Sequence, residues 1–237
     1  MAERREPARQ LPLDLALAPS FAAEDFLVGP TNEEAYALVE RWPDWPDPIL
    51  RLEGPAGSGK SHLAAIWAGI AHAWRVDAFE LSFSRTPHLV SNGALVVEDC
   101  DRGDLDEPAF FHLLNLARER RSFVLLTAAR PPDAWGIATR DLLSRLRLAP
   151  VARLEPPDDG LLKAVLVKLF VDRQLVVDTS VVDTLARHLD RSLAAASEAV
   201  AALDQEALAA KRRITRAMAR DYLARRYGVE DGDHPSP

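Results

Sequence analysis

Cysteine is almost missing from this chain: Cys100 is the only one in 237 residues. No intrachain disulfide can form, so packing alone must hold the fold, and a reducing compartment suits it. No apolar run is long enough to span a bilayer, and Met1-Ala-Glu-Arg-Arg-Glu-Pro7 leads into no apolar signal core. Neither a membrane span nor a signal peptide is expected, and a cytoplasmic protein is. Lysine is scarce, at four of the 29 basic residues, and acids outnumber bases 36 to 29 for a net charge of −7. A protein whose main task is wrapping nucleic acid needs the opposite balance, so no stable direct DNA binding is expected. Repeats and low-complexity tracts are also lacking. What remains is 48% apolar and 27% charged, an ordinary globular composition with length for a sizeable core and a second small domain.

Against that plain background one stretch stands out. Gly54-Pro55-Ala56-Gly57-Ser58-Gly59-Lys60-Ser61 follows the apolar run Ile49-Leu50-Arg51-Leu52 and opens onto His62-Leu63-Ala64-Ala65-Ile66. It matches G-x-x-x-x-G-K-[ST] in the strand–loop–helix context the motif requires. The glycines let successive backbone N–H groups curl inward around phosphate oxygens, and the helix N-terminus adds its positive end. Lys60 has the reach for the β- and γ-phosphates, and Ser61 has a hydroxyl for Mg²⁺. Downstream, Ala94-Leu95-Val96-Val97 ends in Glu98-Asp99-Cys100-Asp101, a buried parallel strand that delivers acids at its C-terminal end. Glu98 reads as the metal-side acid, and Asp99 as the one that orients an attacking water.

The rest of the chain falls into an alternating part and a helical part. Thr31 or Asn32 can cap a helix running to about Arg41, which Trp42-Pro43-Asp44-Trp45-Pro46 breaks. A helix over 62–74 and a strand over 76–81 follow the phosphate loop, then a helix over 108–120, a strand over 122–127, a short helix over 141–147 and a strand over 151–154. Strands alternating with helices predict a parallel α/β sheet with its ligand outside the C-terminal strand ends. After Glu155-Pro156-Pro157-Asp158 the pattern is all helical, over 158–173, 178–189, 191–210 and 215–227. The expected organisation is an N-terminal arm over 1–19, an α/β domain over 20–155, a helical lid over 156–228 and a polar tail. Lys211-Arg212-Arg213 with Arg216 and Arg220 can meet nucleic acid, though a solvated helix face is the commoner use of such a run. In the arm, Gln10-Leu11-Pro12-Leu13-Asp14-Leu15 is an extended apolar–polar peptide. It either packs on its own domain or docks into an apolar pocket of another protein.

Together these motifs resemble the AAA+ ATPases, and within them the Hda-type relatives of the replication initiator DnaA, over about residues 20–228. The resemblance implies a five-stranded parallel sheet followed by a small all-α lid. It implies that Phe26-Leu27-Val28-Gly29-Pro30-Thr31-Asn32 lines an adenine pocket, with Phe26, Val28 and Asn32 as nucleotide contacts. Leu142-Leu143-Ser144-Arg145-Leu146 is similar to the arginine-finger box, so Arg145 projects toward a nucleotide held by a neighbouring subunit. Asp190-Arg191-Ser192-Leu193 is similar to the second sensor, so Arg191 reaches the phosphates from the lid. Gln10–Leu15 is similar to the hexapeptide with which Hda proteins bind the sliding clamp, which favours docking over self-packing. Two departures bear on hydrolysis. Thr127-Ala128-Ala129 leaves only Thr127 to serve as first sensor, and Glu98 stands where aspartate is usual. About ten residues follow the last helix, so the DNA-binding domain that DnaA places after its lid is not expected.

The implied function is regulatory. ADP or ATP with Mg²⁺ would sit on Gly54–Ser61, His62, Thr127 and Arg191, with Ser61, Glu98 and Asp99 on the metal side. The arm would ride on the sliding clamp, the β subunit of DNA polymerase III. Arg145 would be presented to ATP on DnaA, and conversion of DnaA-ATP to DnaA-ADP would prevent re-initiation. A guanidinium supplied in trans in this way is worth roughly 10³–10⁵ in rate. Two rivals remain: a helicase-loader or transposition-type ATPase that turns over its own ATP, with Asp99 as its water-orienting acid, and an adaptor that only tethers a partner to the clamp. A homodimer is compatible with each.

Overall fold

The computed structural model describes residues 23–103 and 105–228. Five parallel strands form one sheet in the order β2-β3-β4-β1-β5, with β1 at Ile49–Glu53, β2 at Trp74–Asp77, β3 at Ala94–Glu98, β4 at Phe123–Ala128 and β5 at Val151–Arg153. The expected five-stranded parallel sheet with a helical lid is what the chain forms. Every residue of β1 is buried, because β4 and β5 flank it and helices cover both faces. Alternation along the strands then assigns each face its own core. Ile49, Leu95, Val97, Val124 and Leu126 pack with α4 (Glu107–Arg120) and α5 (Arg140–Leu148). Leu50, Leu52, Ala94, Val96 and Leu125 pack with α1 (Glu33–Glu40) and α2 (Lys60–Ala71). The lid helices α6 (Asp159–Asp172), α7 (Thr179–His188), α8 (Leu193–Ala210) and α9 (Arg216–Tyr227) close on a third core around Leu162, Leu166, Phe170, Leu185 and Leu203. Among the described residues no helix is long and apolar enough to cross a membrane.

Three local expectations need correction. The helix after the phosphate loop stops at Ala71, not 74: His72 takes a left-handed conformation (φ 50°) and its N–H returns to the Ala68 carbonyl. The strand expected over 76–81 ends at Asp77. Among the described residues its only ladder partner is β3, the last register pair is Asp77 with Glu98, and the backbone turns away at Asp99 (φ 56°). Residues Ala78–Glu80 become a 3-10 turn that leaves the Phe79 side chain 73% exposed. A short helix unforeseen in the sequence, α3 (Thr86–Val90), follows, started by a proline in its first turn. Asn32 does precede α1, but its side chain makes no cap bond. It is buried and spends its amide on the preceding loop, accepting from Gly29 N–H (2.8 Å) and donating to the Leu27 carbonyl (2.9 Å).

Candidate nucleotide site

The site begins where β1 runs out. Gly54 donates its N–H to the Ala128 carbonyl of β4 (3.2 Å), which ties the loop to the neighbouring strand. A Cβ at Gly54 would lie 2.4 Å from the Leu154 carbonyl oxygen, so only glycine fits. Gly57 (φ 74°) and Gly59 (φ 101°) hold left-handed backbone, which turns the loop back onto the start of α2. Lys60 is buried beneath it and donates to the carbonyls of Gly54 (2.6 Å) and Pro55 (2.9 Å). Burial pulls its ammonium below the ordinary lysine range, and the negative charges of Asp101 and Asp99 oppose that shift. An anion held by this loop would therefore find a cation already partly stripped of water, beside a helix N-terminus.

The acids at the end of β3 have separate tasks. Glu98 is ion-paired to Arg75 of β2, whose Nε donates at 2.9 Å. Asp99 donates its backbone N–H to the Thr127 hydroxyl (3.0 Å) and pairs its carboxylate with Arg102 (2.9 Å). Thr127 thus joins the strand carrying the acids to β4, which lies between that strand and β1. Asp101 was missed in the sequence. It is only 7% exposed, accepts the Ala129 N–H (3.0 Å) and pairs with Arg130 Nε (3.1 Å). Its signal in the sequence is the third acid of the run Glu98-Asp99-Cys100-Asp101, two residues past Asp99. Among the described residues no group of three or more His, Cys, Asp or Glu gathers to hold a metal. Ser61 and the two carboxylates would suit a cation only if phosphate oxygens and water completed its shell.

On the other side of the loop lies an aromatic wall. Phe26 stacks on Tyr36 (5.5 Å between centroids) and meets His62 edge-on (5.3 Å). A Cβ added to Gly59 would stand 3.5 Å from the Phe26 ring. Tyr36, inside a helix, carried no sequence signal. Val28 is 49% exposed, and the Leu161 side chain of α6 lies 3.7 Å from a Cβ built on Gly29. The lid also reaches the phosphate loop itself. Leu193 N–H donates to the Gly57 carbonyl (2.7 Å), and Ser192, the N-cap of α8, packs directly on Gly57. The preceding residue, Arg191, is ion-paired to Asp159 at the start of α6.

Arg145 lies on α5. Its Nη1 donates to Asn115 Oδ1 (2.8 Å), its Nε faces Asp141 (3.4 Å), and its guanidinium carbon sits 4.7 Å above the centre of the Phe111 ring. Two residues of α4 therefore hold the guanidinium, and its side chain is still 35% exposed. Gln10–Leu15 lie outside the described residues. Lys211, Arg212, Arg213, Arg216 and Arg220 are exposed around the α8–α9 turn.

No protein-family model matches the chain. Its sequence is similar to the chromosomal replication initiator DnaA of Caulobacter vibrioides, 28% identical over 181 residues, 65% of this chain and 37% of that protein. The chain thus spans well under half the length of that relative. In structure it is similar to domain III of the Thermotoga maritima replication initiation protein DnaA, with a TM-score of 0.73 at 19% identity over 89% of this chain and 98% of that one. The AMPPCP-bound DnaA from Aquifex aeolicus gives a TM-score of 0.67 at 19% identity, over 80% of this chain and 66% of that one. In fold the chain is an α/β domain with a helical C-terminal part like that of DnaA domain III, and in sequence it is similar to DnaA over part of its length.

Proposed function

We propose that the chain is an adenine-nucleotide-binding regulator of replication initiation that acts on a DnaA-type partner through Arg145. The observation behind this reading is the arginine itself. Arg145 is held by Asn115, Asp141 and Phe111 of its own chain, and remains open enough to meet a second molecule. A guanidinium fixed in this way has lost side-chain entropy in advance, which suits a group that must arrive at a γ-phosphate in one geometry. Its task would be to stabilise charge on the phosphoryl group in transit, while the nucleotide and water belong to the partner.

In this reading the chain's own loop, Gly54 to Ser61, holds ADP or ATP, with the base near the Phe26–Tyr36–His62 wall and Arg191 drawn toward the phosphates. Mg²⁺, where bound, would neutralise phosphate charge, and Ser61 with Glu98 or Asp99 would hold it directly or through water. Glu98 and Asp99 are both engaged by arginines, which favours binding over brisk turnover in this pocket. Gln10–Leu15 would dock on the sliding clamp as an extended peptide.

The test mixes the protein with DnaA, clamp loaded on DNA and labelled ATP. Hydrolysis should rise with all components present and collapse on Arg145→Ala and on Gln10→Ala. Stimulation that survives Arg145→Ala would sink the assignment of the finger. Hydrolysis that needs neither DnaA nor clamp, and dies on Lys60→Ala, would instead make the chain an ATPase in its own right.

A further inference from the structure

The helix that bears Arg145 is short and weakly rooted. It has nine residues, and only Leu142 and Leu146 are buried. A helix of that length has little stability of its own, and a single apolar seam leaves its tilt and axial rotation poorly fixed. Its two ends are nevertheless held by charged side chains from elsewhere in the fold.

At its start, Glu107, the first residue of α4, accepts the backbone N–H groups of Ala138 (2.7 Å) and Thr139 (2.8 Å), one on each carboxylate oxygen. Thr139 is the N-cap of α5, and its own side chain caps nothing. At the other end the carbonyl of Ala149, the C-cap, accepts from Arg51 Nε (3.3 Å) and Nη2 (3.1 Å). Arg51 is buried in the middle of β1, and its remaining fork bonds Glu53, which also faces Arg153 at 3.7 Å. The signs are those that a helix favours: a carboxylate where N–H groups are unpaired, and a guanidinium where carbonyls are.

We infer that Glu107 and Arg51 are positioning residues for Arg145, acting through α5 and not on any nucleotide. Arg51 also makes the finger helix one body with β1, the strand that ends in the phosphate loop. The presentation of Arg145 is thereby mechanically tied to the chain's own nucleotide cradle. This rests on the reading of Arg145 as a residue used in trans. A displacement of about 1 Å in a reacting group can cost on the order of 10²-fold in rate. Loosening either end of α5 should therefore be visible in turnover before it is visible in binding.

The experiment uses the full chain with DnaA, DNA-loaded clamp and labelled ATP, comparing Glu107→Ala, Glu107→Gln, Arg51→Lys and Arg145→Ala. Glu107→Ala should lower the maximal stimulated rate at least tenfold, while the concentration giving half-maximal stimulation stays within twofold. Glu107→Gln keeps one acceptor and should fall between it and the parent. Arg51→Lys keeps the charge but loses the fork, and should also be intermediate; if it fails to fold, the Glu107 pair decides. A second readout is amide hydrogen exchange, which should speed up over 140–148 in Glu107→Ala and not over the phosphate loop. Full stimulation and parental exchange in Glu107→Ala, with Arg145→Ala inactive, overturns the inference alone. Full stimulation in Arg145→Ala overturns the functional reading and the inference together.

Discussion

Gly57→Ala should uncouple the lid from the phosphate loop, and the size of the effect can be worked from the contacts. Gly57 holds φ 74°, and an added Cβ would stand 1.9 Å from Ser192 Oγ, 3.0 Å from Ser192 Cβ and 3.3 Å from Ala194 Cβ. The left-handed conformation costs an L-residue about 1–2 kcal/mol. Turning the Ser192 hydroxyl out of the way forfeits its cap bond to Ala195 N–H, worth about 1 kcal/mol. The sum is about 2–3 kcal/mol, and it falls on the closed arrangement in which Leu193 N–H reaches the Gly57 carbonyl. If nucleotide is held between loop and lid, affinity should drop by about 30- to 150-fold. Ser192→Gly alone should be near neutral, since glycine at an N-cap costs only a few tenths of a kcal/mol. The double variant should recover somewhat under about 1 kcal/mol, because the cap loss shrinks to the few tenths that a glycine N-cap costs and the backbone part is left. Titration with a fluorescent adenine nucleotide, alongside thermal melting, separates binding from folding. A Gly57→Ala protein that binds within twofold of the parent would refute the idea that this contact closes over the ligand. A double variant no better than the single one would refute the steric account.

Three further outcomes are expected. Lys60 is held below the ordinary lysine range by burial, and a bound phosphate should raise it again, so binding takes up a proton at alkaline pH. Affinity should be flat near neutrality and fall by up to about tenfold per pH unit above the lowered value, and an affinity unchanged right through the ordinary lysine range would exclude Lys60 from the phosphate contact. Asp159→Asn frees Arg191 from an exposed pair, 46% and 69% open at the two side chains, so stability should shift by no more than about 0.5 kcal/mol. Nucleotide should then bind a few-fold tighter if Arg191 serves the phosphates, and weaker binding in calorimetry would contradict that role. Leu52→Ala removes a fully buried side chain between β4 and β5 beneath α2, and should cost about 2–5 kcal/mol in denaturant unfolding.

What could be read from the sequence was what is local in it. The phosphate loop is eight contiguous residues whose chemistry demands their order, and the strand before it and the helix after it are where that order placed them. The lid helices could be read for the same reason, since each announces itself over ten residues or more. Pairings between distant segments could not. Arg51 and Ala149 are 98 residues apart, Arg145 and Asn115 are 30 apart, and Asp99 meets Thr127 across 28. Residue types alone say only that Arg51 is an arginine within an apolar run. Its burial makes sense only once β5 and the end of α5 are known to lie beside it.

The same logic explains the local errors. Residues 76–81 alternate like a strand, yet a strand lasts only as long as its ladder, and β3 turns off at Asp99. Asn32 sits where a cap belongs, but two loop groups compete for its amide and take it. Each miss therefore has the same physical source. Elements are decided by short-range chemistry, but their limits and their partners are decided by what the rest of the chain brings alongside. The Arg145 site shows both halves of this. The motif Leu143-Ser144-Arg145-Leu146 lies within one helix, whereas the groups that contact its arginine and hold the ends of its helix come from α4 and β1. A variant survey confined to the motif would reach Arg145 and overlook the residues that hold its helix.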